Sequence, residues 1–156
     1  MDFQIFHRIL SLQQRYAQIL DSNDISGWPE LFTEQCAYKL QSRENFDAGH
    51  ALCILNLESR AMLRDRVYGV VNTIFHDPYS QRHICGAPIV TLREDGGYDA
   101  ESSYVVIRTQ RDNMPHIVSV GRYLDRIVSH QGLLLFQQRS AIFDNDLLPN
   151  SVIKPI

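Results

Sequence analysis

Arg82-His83, at the start of a strand-like run, is the best setting in this chain for acid–base chemistry, with Asp21 or Asp65 as the carboxylate that would orient the imidazole. One Asp and one His in an apolar pocket suffice for proton abstraction or dehydration, because burial tunes both groups. The plainer alternative is a hydrogen-bonded structural histidine. A second charged group, Arg64-Asp65-Arg66, has no opposite charge three or four residues away. Its partners therefore lie on another element, on another chain or in water. Metal chemistry is poorly served. His7, His50, His76, His83, His116 and His130 stand singly, without H-x-x-x-H spacing. Cys36, Cys53 and Cys85 form no C-x-x-C, and the single close pair, His83 with Cys85, cannot ligate a Rieske cluster. There is no G-x-G-x-x-G, no G-K-[ST] after a glycine-rich loop and no G-x-S-x-G, so nucleotide-binding and serine-hydrolase chemistry are not indicated.

The elements that must position these groups follow from apolar periodicity. Ile5, Ile9, Leu12, Tyr16 and Ile19/Leu20 recur at helical spacing, predicting an amphipathic helix over 3–20. Asp21-Ser22-Asn23-Asp24 is turn and cap chemistry, and a short second helix through Trp28 and Leu31-Phe32 would complete a helical hairpin. Cys36 to Gln41 alternates like a half-buried strand, 43–50 is a polar loop, and 52–55 leans to strand. Ser59 would cap a helix over 59–74 whose stripe is Leu63, Val67, Val70 and Ile74, with Arg66 beside it and Asp65 nearly opposite. Beyond Asp77-Pro78, the runs 81–93, 100–111, 116–129 and 133–143 are rich in Val, Ile, Tyr and Thr and are separated by turn residues. The result is an α+β fold, a curved antiparallel sheet wrapped over helices around a cone-shaped interior.

In 116–129 one face reads Val118, Val120, Arg122, Leu124, Arg126, Val128 and the other Ile117, Ser119, Gly121, Tyr123, Asp125, Ile127. Apolar residues on both faces require cover on both. Arg122, Arg126 and Arg139, interleaved with apolar residues, suit a protein interface, the alternative being cross-strand pairing with Asp125 or Asp144. The ending Leu147 to Ile156 has two prolines and five branched apolar residues, which points to an extended arm pinned on its own domain or on a neighbouring subunit.

At 156 residues the chain is expected to be one domain, 1–156, able to fold without staples. Net charge of −3 without a basic block argues against a nucleic-acid partner. No stretch approaches the roughly 18 apolar residues of a membrane span, and the start Met1-Asp2-Phe3 shows no secretion signal. With an odd, unpaired set of cysteines, a reducing cytoplasm is the expected location.

Tyr16 with Leu20-Asp21, Trp28 with Leu31-Phe32, Cys36 and Tyr38, Met62-Leu63-Arg64-Asp65-Arg66-Val67, Arg82-His83-Ile84, Gly121-Arg122-Tyr123 and Gln138-Arg139 through Asp144 resemble the small (beta) subunit of Rieske-type aromatic-ring-hydroxylating oxygenases. The resemblance covers nearly the whole chain. Arg43-Glu44-Asn45-Phe46, Arg66-Val67-Tyr68-Gly69-Val70, His76-Asp77-Pro78-Tyr79 and Pro149-Asn150-Ser151-Val152-Ile153 look most like salicylate 5-hydroxylase small subunits, with terephthalate, anthranilate and halobenzoate enzymes close by. It implies a cystatin-like roll of the NTF2 type and a hexamer of three large and three small subunits, the small ones forming a trimer. It implies that the Rieske 2Fe–2S cluster and the mononuclear non-haem iron belong to the large subunit, leaving no cofactor, metal or catalytic residue in this chain. The expected function is then a non-catalytic subunit of an oxygenase hydroxylating an aromatic carboxylate, salicylate favoured. The competing expectation is a stand-alone isomerase or dehydratase of the same roll using His83 with Asp21 or Asp65. On the first expectation Arg64, Asp65, Arg66, Arg82, His83, Arg122, Arg126 and Arg139 serve a subunit interface or a structural network, the helix charges being fixed against Arg82-His83 or an adjoining subunit.

Overall fold

The computed structural model describes residues 2–148 and 152–156. Helix α1 spans Phe3–Asp21, and the Asp2 side chain caps it by accepting from the Gln4 amide at 3.0 Å. Its buried face, Ile9, Leu12, Gln13, Tyr16, Ala17 and Leu20, is the stripe read from the sequence, with one polar member. The second helix of the expected hairpin is only a 3-10 turn, Pro29–Leu31. Pro29 starts the turn without an amide to donate, and the chain passes directly into strand β1, Phe32–Ser42.

Ser42 then caps a short helix α2, Arg43–Asp47, where a loop was expected; its hydroxyl accepts from the Asn45 amide at 3.2 Å. Strand β2 is Leu55–Leu57, and helix α3 is Arg60–Asn72 behind the Ser59 cap; of the expected stripe it buries Leu63 and Val70, Val67 is half-buried, and Ile74 lies past the helix end. Strand β3 (Tyr79–Cys85) and strand β4 (Ile89–Leu92) divide the run expected as one strand. Both pair with the long strand β5 (Tyr98–Gln110), β3 along 104–110 and β4 along 98–101, with Gly86-Ala87-Pro88 forming the break. Strands β6 (His116–His130) and β7 (Leu133–Phe143) complete the sheet. Gln131 (φ 50°) and Gly132 (φ 80°) join them in a two-residue turn with both φ positive, the geometry that follows strand twist.

The sheet order is β2-β1-β7-β6-β5-β3, with β4 also on β5. It is mixed rather than purely antiparallel, because β1 runs parallel to β7. Among the described residues, α1 packs on β3 and β7, and α3 packs on β1, β2 and the 3-10 turn. The curved sheet and its helices thus enclose a cone, and no described helix is long and apolar enough to cross a membrane.

Two local features set which side chains enter that cone. The β5–β6 register shifts between Val106 and Ile107, so Val118 and Ser119 are both buried and the alternation expected for 116–129 inverts there. Gly121 lies so close to β7 that a Cβ on it would run into the Ile142 carbonyl oxygen.

Candidate functional site

The cone is filled with side chains. Tyr16 sits at its centre, edge-on to Phe32, His83, Tyr123 and Phe136 at centroid distances of 5.8–6.4 Å, while Tyr104 stacks on Tyr123 at 4.4 Å. Between them lies Arg139, wholly buried, its guanidinium carbon 4.0 Å from the Tyr16 ring centre, 4.2 Å from Tyr123 and 4.1 Å from Phe136. Its charge is met by Asp125 across the β6–β7 ladder in two bonds of 2.8 and 2.7 Å. Burial by itself opposes the guanidinium charge; the attraction of Asp125 outweighs it and leaves the Arg139 pKa above the ordinary arginine value. Gln13 of α1 donates to Ser102 at 3.1 Å and to Asp125 at 3.4 Å, tying helix to sheet.

His83 and Asp21 meet at one edge of this cluster. The imidazole Nδ1–H donates to Asp21 Oδ1 at 2.6 Å, and the His83 backbone amide donates to Oδ2 at 2.8 Å. Strand β3 supplies the histidine and the C-terminal residue of α1 the carboxylate, so the pair also closes α1 onto the sheet. Such a couple could orient a general base. Its free Nε2, however, is buried with no hydrogen-bond partner among the described residues, and the imidazole is completely covered. Tyr123 Oη, Gln13 Oε1 and Arg139 Nη1 are also buried and have no hydrogen-bond partner among the described residues.

The other sequence candidates disperse. Arg64 pairs with Glu30 at 2.9 Å, and Arg66 donates to the Val152 and Ile153 carbonyls, so neither reaches Arg82-His83. Asp65 is exposed and, among the described residues, has no side-chain partner; it does not join His83. Arg82 is exposed on β3. Arg122 pairs with Glu101 at 3.2 Å and Arg126 lies 4.0 Å from Asp99, both on the outer side of the sheet. Arg139, grouped with those two in the sequence, points the opposite way and takes the Asp125 partner, because alternation places it on the inner face. Glu30, Gln13 and the arm carbonyls were not singled out from sequence. Gln13 had a signal: it is a polar residue within the buried arc of α1.

Burial pushes the Cys36 thiol up to about 11 and also raises Cys53 and Cys85, so all three are held as thiols. Among the described residues no three His, Cys, Asp or Glu side chains are placed to hold an ion together. These donors do not fit a Rieske cluster.

A family model for the SnoaL-like domain matches residues 6–140. The small subunit of anthranilate 1,2-dioxygenase from Burkholderia cepacia is 30% identical over 155 residues, 99% of this chain and 96% of that one. The chain belongs to the small-subunit family of aromatic-ring-hydroxylating dioxygenases. The beta 2 subunit of the terminal oxygenase component of terephthalate 1,2-dioxygenase from Comamonas is 27% identical, covering 96% of this chain and 97% of that one. A crystal structure described as the beta subunit of an aromatic-ring-hydroxylating dioxygenase from Novosphingobium aromaticivorans superposes with a TM-score of 0.88 at 30% identity, covering 96% of this chain and 95% of that one. For this dioxygenase small subunit, the SnoaL/NTF2-like roll agrees with the cone expected from periodicity.

Proposed function

We propose that the chain is the non-catalytic small subunit of a multicomponent Rieske non-haem iron oxygenase acting on an aromatic carboxylate. The observation that carries this reading is the occupied cone: aromatic rings and a neutralised arginine take the space a substrate would need, and His83 is covered. The partner is a large subunit bearing the 2Fe–2S cluster and the mononuclear iron, in a hexamer of three large and three small subunits. Salicylate is the favoured substrate, with benzoate, anthranilate and terephthalate types next; relatives named for anthranilate and terephthalate support the class. Ile84, Ile89 and Ile117 are exposed on the outer face of the strands, and with Arg82, Arg122 and Arg126 they offer an apolar, arginine-studded surface suited to subunit contact.

The test is co-expression with a cognate large subunit. The assembly should hydroxylate salicylate when given electrons and dioxygen, and the isolated small subunit should not turn over any aromatic acid. Turnover by the small subunit alone would overturn the reading. One observation favours a second reading, a stand-alone isomerase or dehydratase: the 2.6 Å His83–Asp21 contact. On that reading His83→Gln abolishes an activity of the isolated chain; on the first, the assembled oxygenase keeps its substrate and its product.

A further inference from the structure

The cone is closed from one side by the chain's own residues 152–156. Ile153, Pro155 and Ile156 are buried. The Tyr16 and Tyr38 hydroxyls both donate to the Ile156 main-chain oxygen, at 2.7 and 2.8 Å, and the Ile156 amide donates back to Tyr38 Oη at 3.0 Å. Arg66 of α3 holds the Val152 and Ile153 carbonyls, and the Lys154 amine donates to the Ser22 carbonyl behind α1 at 2.7 Å. The arm therefore touches the floor of the cone and both of its longer helices. Its recognition is that of a ligand: two buried phenols on the Ile156 main-chain oxygen, a guanidinium on two carbonyls, and branched side chains in apolar slots. The two phenols are among the most deeply buried groups of the fold, and their hydroxyls have no role in the Arg139–Asp125 network beside them.

We propose that Tyr16, Tyr38 and Arg66 form a binding site for a short extended apolar peptide, and that residues 152–156 are its resident, displaceable ligand. The site recognises the main-chain oxygen of the peptide's last residue through the phenols, backbone carbonyls through the guanidinium, and branched side chains through the walls of the cone. The Arg66 of the unpaired helix triplet is thereby part of the site, gripping the arm instead of another helix.

The test uses the full chain, with a specific protease sequence replacing residues 149–151 so that the arm is cut only after folding. Trp28, the sole tryptophan, lies edge-on to Tyr38 at 5.2 Å and reports occupancy by fluorescence. The cut arm should stay bound through gel filtration and exchange with added Val-Ile-Lys-Pro-Ile peptide, changing Trp28 emission as it leaves and returns. Tyr38→Phe and Arg66→Ala should each raise the peptide concentration needed for half-occupancy at least about tenfold, a loss in keeping with a hydrogen bond to a buried or charged group. A cut chain that stays folded yet fails to bind millimolar peptide overturns the proposal. If cutting unfolds the chain, the uncut Tyr38→Phe variant decides. Its amides in 152–156 should exchange hydrogen at least about tenfold faster while β5 to β7 exchange unchanged, and equal protection in both proteins overturns the proposal.

Discussion

Replacing Asp125 by alanine should be among the most damaging single changes to the core that leave the backbone geometry intact. The variant strips Arg139 of both carboxylate bonds in a site with no exposure, and orphaning a buried charge in this way costs roughly 3–5 kcal/mol. Three aromatic faces at 4.0–4.2 Å remain around the guanidinium and continue to attract it. The loss should therefore fall near the lower bound, about 3 kcal/mol, or a fall in Tm of about 6–12 °C for a chain of this size. Arg139→Met should cost more, about 4–5 kcal/mol, because the stranded Asp125 carboxylate keeps only Gln13 at 3.4 Å, and ring faces repel an anion. Removing both charges in Asp125→Leu with Arg139→Met should recover most of the stability, to within about 1 kcal/mol of the parent. Urea denaturation of the four proteins, with slopes compared, measures all three numbers. A loss below about 1 kcal/mol for Asp125→Ala, or a double variant no better than the singles, would refute the reasoning.

Three further outcomes are expected. Gly121→Ala should cost about 3 kcal/mol or prevent folding, since the added Cβ meets the β7 backbone at Ile142 and Phe143 and backbone cannot rotate away; a near-neutral chemical melt would contradict it. Burial raises Tyr38 to about 12 and also raises Tyr16, Tyr104 and Tyr123. The native fold thus favours the protonated phenols, so their contribution to stability is level below the ordinary tyrosine value of 10.0 and falls as pH rises from there through about 12. Tyrosinate absorbance followed against pH should show these four ionising only with cooperative unfolding. Asp65→Ala should leave the isolated chain's melting unchanged, because the carboxylate is exposed and has no side-chain partner among the described residues; if Asp65 faces a neighbouring subunit, the same variant should weaken assembly in analytical ultracentrifugation.

The sequence by itself determined the elements and their class. Amphipathic spacing marked α1 and α3 with their inward residues, Ser59 marked a start, and branched and aromatic runs marked the long strands, because these signals are local and depend only on the 3.6- and 2-residue periods. It also pointed to the family through short motifs spread over the chain, which the comparisons bear out. Tertiary structure decided what lay between elements. The parallel β1–β7 pairing joins segments about 100 residues apart, and nothing in either strand announces its direction. The inversion at Val118 and Ser119 needs a register shift that alternation cannot register, and Arg139 reads like its surface neighbours Arg122 and Arg126 until Asp125 is placed opposite it. Arg64 and Arg66 had no local partners because theirs, Glu30 and the arm carbonyls, are 34 and 86–87 residues away in sequence. Whether His83 was base or brace was likewise a question of packing: the 2.6 Å contact to Asp21 and the covered Nε2 exist only once α1, β3 and the rings around Tyr16 close on one another.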